Sequence, residues 1–183
     1  MYDIDAALTQ AINSLAGRSA AGDMIMLALT SLGVPLMVLA VALQWWRRSE
    51  RMHTRHILVS AGCAFLLGLG INQIILLFIQ RARPYEVGVT HLLIAPTVDF
   101  SFPSDHSTAA FAIAATFLLD RSLRSGSAFL VVAVLICVSR IYVGTHYVSD
   151  TIGGAVVGVA ASLLVAAVYR EGSRADRLIT GIL

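Results

Sequence analysis

Residues 57–79 read ILVSAGCAFLLGLGINQIILLFI, a stretch without one charged side chain. A hydrocarbon core about 30 Å thick is crossed by about 20 predominantly apolar residues in a helix, so this run is long enough to span a bilayer by itself. Working outward, the chain offers four more apolar runs, at 24–46, 108–119, 126–143 and 151–169. The run at 108–119 is short, but it can extend back through Ser104 and Asp105, residue types that start helices. The reading is an all-α fold: a polytopic membrane bundle of five transmembrane helices in one integral-membrane domain covering 1–183. Ahead of the first span, Ile4, Leu8, Ile12 and Leu15 recur at helical spacing among polar residues. That pattern predicts an N-terminal amphipathic helix lying in the membrane interface.

Composition supports the bilayer as solvent. Hydrophobic residues make up 57% of the chain and charged residues 13%, where a soluble domain carries about 25% charged residues. A soluble bundle would have to bury several near-continuous apolar helices inside one small domain. The formal charge of +2 and the scatter of basic residues through short loops argue against a nucleic-acid partner. Every basic side chain is arginine. Cys63 and Cys137 lie in apolar runs without CxxC spacing, which makes them packing residues and not a disulfide or a zinc site. The first twenty residues lack the basic and apolar regions of a cleavable signal, so insertion is expected to be driven by the spans.

Arginine placement sets an expected orientation, because short cytoplasmic loops are enriched in basic residues. Arg47, Arg48, Arg51 and Arg55 follow the first span, Arg121 and Arg124 the third, and Arg170, Arg174 and Arg177 the fifth. All three groups fall on one side, read as cytoplasmic. By alternation the N-terminus, the segment 80–103 and the turn at His146 face the other compartment. Arg81 and Arg83 stand there against the rule, which an anionic ligand explains.

Three pieces of chemistry gather on that outer face. Arg81-Ala82-Arg83-Pro84 closes the second span, and an arginine fork gives paired charge-assisted hydrogen bonds to phosphate; the plain alternative is an arginine snorkelling to headgroups. Ser101-Phe102-Pro103-Ser104-Asp105-His106 opens the third span, where helix-start N–H groups and a serine hydroxyl form an anion site with His106 beside it; the alternative is an ordinary N-cap. Ser139-Arg140 ends an apolar span, where a charge costs a few kcal/mol unless it is paired or functional. His146 and Asp150 follow four residues apart, on one face if the segment is helical. A carboxylate bonded to one imidazole nitrogen leaves the other free to attack; a structural His-Asp pair is the alternative. Two histidines on separate segments with one carboxylate and no cysteine make a poor metal site.

Arg83-Pro84, Pro103-Ser104-Asp105-His106, and Ser139-Arg140 followed by His146 and Asp150 resemble the three-part signature of the type 2 phosphatidic acid phosphatase superfamily. Within it, the short chain and the aspartate at 105 look most like bacterial undecaprenyl-diphosphate phosphatases. The resemblance covers 76–150. It implies a metal-independent membrane lipid phosphatase without a cofactor, in a bacterial plasma membrane with an extracytoplasmic site, acting on a membrane lipid. His146 would be the nucleophile that becomes phosphohistidine, Asp150 its orienting partner, and His106 the general acid and then base. Arg83, Arg140, Ser104 and the Asp105 backbone N–H would hold the phosphate oxygens. The family usually has lysine seven residues before the arginine of Arg-Pro, and here that residue is Leu76. Arg81 is the nearby cation expected to substitute. A non-catalytic lipid-phosphate binder would need the arginines but not His106, His146 and Asp150 together. Gly154 and Gly158 form a small-xxx-small pair for helix contact within the bundle or between subunits, leaving oligomeric state open. Gly68 and Gly70 are packing positions, and Trp45, Trp46, Tyr147 and Tyr169 are expected as interfacial anchors.

Overall fold

The computed structural model describes residues 2–48 and 50–182, and every regular element among them is helical. The helices are α1 (Tyr2–Asn13), α2 (Ala20–Leu43), α3 (Arg51–Phe78), α4 (Asp105–Leu119), α5 (Leu123–Tyr142), α6 (Val148–Val168) and α7 (Arg174–Thr180). Four segments are long and apolar enough to cross a membrane: Ala20–Trp46, Arg51–Phe78, Leu123–Tyr142 and Val148–Val168. The fifth expected span is present as α4, but it has only fifteen residues. At 1.5 Å per residue it rises about 22 Å, short of a hydrocarbon core about 30 Å thick.

α4 is the axis of the bundle. Nine of its fifteen residues are buried, and α3, α5 and α6 pack around it while α2 lies against α5. The packing depends on small side chains: Ala109, Ala110, Ala112 and Ala114 are all buried. Gly154 and Gly158 of α6 meet the Ser104 and Thr108 carbonyls so closely that a Cβ at either glycine would overlap them. This places the small-xxx-small pair at a contact inside the bundle. Hydrogen bonds reinforce it, from Thr108 Oγ1 to the Gly154 carbonyl (3.0 Å) and from Ser162 Oγ to the Ala112 carbonyl (2.9 Å). Large apolar side chains point outward instead, among them Leu66, Leu77, Ile152, Val156 and Val168. An apolar exterior around a core of small and polar residues is the pattern of helices packed in lipid, where close approach rather than hydrophobic burial drives association.

The bundle has two chemically distinct ends. At one, α1 lies across the mouths of α5 and α6 with its polar residues inward: Thr9 and Asn13 are buried, while Ile4, Leu8 and Leu15 are exposed. Asn13 Nδ2 donates to the His91 and Tyr142 carbonyls at 2.9 and 2.8 Å. At the other end α7, which the apolar pattern does not announce, docks on the start of α3. Asp176 accepts from Tyr169 Oη at 2.7 Å and pairs with His56 Nδ1 at 2.9 Å. Arg55 is drawn into the protein there, donating to the Thr180 carbonyl and lying over the Trp45 ring. Tyr147, expected as an interfacial anchor, is only 1% exposed and belongs to the interior of the first end.

Candidate active site

The three sequence pieces converge at the end covered by α1. α5 ends at Tyr142 and α6 begins at Val148, so the turn between them carries His146. That turn needs Gly144, whose φ of +86° is left-handed and whose Cβ position is filled by the His91 carbonyl. α4 starts immediately after Ser104, which puts His106 in its first turn.

His146 is 3% exposed, and its hydrogen bonds fix its tautomer. Nδ1 lies 2.8 Å from the Ser101 carbonyl, which can only accept, so Nδ1 carries the proton. Nε2 faces Arg83 Nη1 at 3.3 Å, and a guanidinium can only donate, so Nε2 presents its lone pair. Burial pushes His146 below the ordinary histidine value, although Asp150 pulls it upward. The ring is therefore neutral near pH 7, as a nitrogen nucleophile must be.

Asp150 orients the ring less directly than its spacing suggests. Its Oδ2 is 3.6 Å from His146 Nδ1, an ion-pair distance and not a hydrogen bond. Ser101 bridges the two instead, its carbonyl on His146 and its hydroxyl donating to Asp150 Oδ2 at 2.5 Å. The Tyr147 N–H also donates to Oδ2, at 2.8 Å. Ser101 had no signal in the sequence beyond opening its motif, because it acts partly through its backbone.

A cavity of about 130 Å³ lies in front of His146, walled by Leu76, Arg83, Asp99, Pro103, Asp105, His106 and Arg140 among others. Larger cavities of about 240 and 250 Å³ open at the α7 end, around Arg47, His53 and Arg121 and around His56 and Tyr169. Of these three, the small cavity is the one lined by residues of all three motifs. Arg83 is 3% exposed, donating to the Asp99 and Thr145 carbonyls and pairing with the Asp99 carboxylate at 2.8 Å. Burial raises the Asp99 carboxyl, but the Arg83 charge together with hydrogen bonds from Thr97 and Arg83 outweighs it and holds the group below its usual value.

Two buried polar atoms of this group have no partner among the described residues: Ser104 Oγ and Arg140 Nε. Arg140 is anchored from behind by Thr30 Oγ1 at 2.9 Å. Ser104 occupies the N-cap position of α4, yet its hydroxyl makes no capping bond, so the ordinary N-cap reading fails at this residue. The Asp105 carboxylate is held by Asn72 Nδ2 at 2.7 Å. His106 is half-buried and faces the same cavity. An imidazole nitrogen with a free lone pair, a second imidazole and two guanidinium groups around one small cavity suit transfer of a tetrahedral anion.

One expectation changes. Leu76 does line the cavity, so the position of the usual lysine is an apolar wall. Arg81 does not line it and is no replacement there. Its Nη2 pairs with Asp5 at 2.7 Å, its Nη1 with Asp150 Oδ1 at 2.7 Å and Ser149 Oγ at 2.6 Å, and its guanidinium lies 3.7 Å from the centre of the Tyr147 ring. Those two carboxylates are its partners.

The chain is similar in sequence and in fold to known proteins. The family model described as PAP2 superfamily matches residues 57–174. Undecaprenyl-diphosphatase BcrC of Bacillus subtilis is 34% identical over 150 residues, covering 82% of this chain and 76% of that protein. Among solved structures, a PAP2-type phosphatidylglycerolphosphate phosphatase from Bacillus subtilis is 26% identical with a TM-score of 0.67, covering 94% of this chain and 88% of that one. LpxE of Aquifex aeolicus, at 23% identity, shares the fold with a TM-score of 0.71 over 86% of this chain and 92% of its own.

Proposed function

The chain belongs to the PAP2 superfamily and is a membrane phosphatase, and from that premise we propose that it hydrolyses a polyprenyl diphosphate to the monophosphate through a phosphohistidine. The observation that carries the reading is the locked tautomer of His146, with Nδ1 tied to Ser101 and the Nε2 lone pair turned to the arginine-walled cavity. Nε2 attacks the terminal phosphorus. As the bond from phosphorus to the bridging oxygen breaks, His106 gives that oxygen a proton, and the lipid monophosphate leaves. Water then attacks the phosphohistidine, with His106 taking its proton; the phosphorus–nitrogen bond breaks and inorganic phosphate departs. Arg83, Arg140, Ser104 Oγ and the Asp105 N–H hold the equatorial oxygens where charge spreads in the transition state. The Arg83 N–H that rests on Nε2 is available to an incoming phosphate oxygen. Charge neutralisation by arginine leaves no step that calls for a metal ion.

The polyprenyl diphosphate assignment rests on similarity to BcrC over most of both chains. α4 serves in this reading as a fifth crossing segment. It runs from the catalytic end to the turn at Asp120, which shares a cavity with the start of α3 at the far end. The catalytic end faces the extracytoplasmic side of a bacterial plasma membrane.

The test is phosphate release by purified protein in detergent with excess EDTA. Undecaprenyl diphosphate, its monophosphate, phosphatidylglycerophosphate and phosphatidic acid are compared, with His146→Ala as control. The expected result is EDTA-resistant release favouring the diphosphate, lost in the variant. Release that needs a divalent metal, or that survives in His146→Ala, would overturn the mechanism; preference for phosphatidylglycerophosphate would replace the substrate.

A further inference from the structure

The first turn of α6 follows His146 directly, and its N–H groups are satisfied from another helix. Val148 N–H donates to Thr9 Oγ1 at 3.1 Å and Ser149 N–H to Asp5 Oδ1 at 3.0 Å, both acceptors on α1. Asp5 Oδ2 accepts from Ser149 Oγ at 2.5 Å and from Arg81 Nη2 at 2.7 Å. Arg81 Nη1 continues to Asp150 Oδ1 at 2.7 Å. With Oδ1 engaged by Arg81, Asp150 presents Oδ2 to Ser101 Oγ, the Tyr147 N–H and the His146 ring. The Arg81 side chain is 23% exposed and the Asp5 side chain 14%, so neither is a loose surface charge.

We propose that Asp5 and Arg81 are positioning residues that hold Asp150 behind the nucleophile, making α1 a structural part of the catalytic end. The proposal rests on the reading of His146 as nucleophile. Nitrogen attack places positive charge on the imidazole, and Asp150 stabilises that charge only as far as its own is not spent on Arg81. Asp5 shares Arg81 and so leaves Asp150 free to act on the ring. Burial raises the Asp5 carboxyl, but Arg81 and Ser149 outweigh it and hold the group below its usual value, so it is charged at neutral pH.

Asp5→Asn and Arg81→Met are predicted to act in opposite directions. Asp5→Asn leaves the whole Arg81 charge on Asp150, which makes His146 harder to protonate and moves the acid limb of kcat/KM to lower pH. Arg81→Met frees the Asp150 charge and moves the limb to higher pH. Each shift is expected at about half a pH unit, with KM within about twofold and kcat falling about tenfold, in Asp5→Asn because Asp150 is more fully neutralised and in Arg81→Met because Asp150 loses the bond to Oδ1 that holds it behind the ring. Arg81→Lys, which keeps a charge beside Asp150, recovers part of the loss. Thr9→Val removes a cap bond but no charge; it lowers the unfolding temperature and leaves the limb in place. The other charged and titratable groups facing the cluster, Tyr2, Arg83, Asp99, His106, Arg140 and Tyr147, are untouched in every variant.

Nitrogen-15 histidine NMR of the full chain in micelles, with His146→Ala to assign the signal, measures the same opposed shifts without turnover. If the wild type hydrolyses no lipid phosphate, the functional reading fails while NMR still decides the network. An active wild type whose two variants keep the limb and the His146 titration unmoved, or move them the same way, would overturn the proposal.

Discussion

At the scale of single residues, the site depends on which atom of His146 is free, and Ser101 decides that with two of its own atoms. Its carbonyl holds Nδ1 and its hydroxyl holds Asp150. Ser101→Ala keeps the first bond and removes the second, leaving a buried carboxylate short of one donor. Such a loss costs about 1–3 kcal/mol, and a share near 1.4 kcal/mol in the transition state is about a tenfold fall in kcat. Steady-state kinetics on the purified variant should therefore show a lower kcat with KM nearly unchanged, because Ser101 does not line the cavity. An unchanged kcat would show that the Tyr147 N–H and Arg81 suffice to hold Asp150. Most chemistry-bearing side chains were legible in the sequence, since histidine and arginine next to apolar spans are costly without a use. Ser101 and Asp5 were not, because a backbone carbonyl and a contact between α1 and α6 leave no local pattern. The sequence predicts both Arg81 and Arg83 at the anion, whereas Arg83 lines the cavity and Arg81 turns to Asp5 and Asp150; nothing in their spacing tells which of the two turns away.

Among the helices, periodicity and apolar length locate all of the long elements, and the spacing in α1 predicts its amphipathic character without showing what its polar face meets. The helix is amphipathic as expected, yet Asp5, Thr9 and Asn13 form its docking surface and Ile4 and Leu8 look outward. That arrangement suits an interfacial helix, whose apolar face can rest in the membrane while hydrogen bonds secure the polar one. α7 escaped notice because seven residues held by Ser173, Asp176 and Arg55 need no apolar stripe. The contact between α4 and α6 offers a direct test of how the bundle is held. At Gly158 a new Cβ would overlap the Thr108 carbonyl and come within 2.8 Å of Ala112 N, whereas at Gly62 of α3 it would meet nothing within 4 Å. Gly158→Ala is expected to destabilise by about 1–3 kcal/mol through overpacking, and Gly62→Ala to stabilise by about 0.5–1 kcal/mol as a helix-interior exchange. Thermal unfolding in detergent, followed by tryptophan fluorescence, separates the two. Equal midpoints would mean that α4 and α6 can slide apart at little cost.

For the molecule as a whole, the two ends differ in how far their arginines are already neutralised, and this bears on orientation. Arg81 and Arg83 at the catalytic end are paired with Asp5, Asp150 and Asp99, so they contribute little to the charge that anchors a loop, and Arg18 is the exposed arginine left at that end. At the opposite end Arg47, Arg48, Arg51, Arg121, Arg124, Arg170, Arg174 and Arg177 remain on the exposed surface, while Arg55 is taken into the protein. A basic side chain near an anionic cytoplasmic leaflet is worth about 1 kcal/mol, so the proposed orientation, with the α7 end inside and the catalytic end outside, predicts a labelling pattern. In a background with Cys63 and Cys137 replaced by alanine, Val98→Cys on the exposed loop of the catalytic end should react with a membrane-impermeant maleimide in intact cells. Ala175→Cys on α7 should react only after permeabilisation. The reverse labelling would put the His146 cavity in the cytoplasm, and the substrate would then have to be a lipid phosphate presented by the inner leaflet, in place of one released outside.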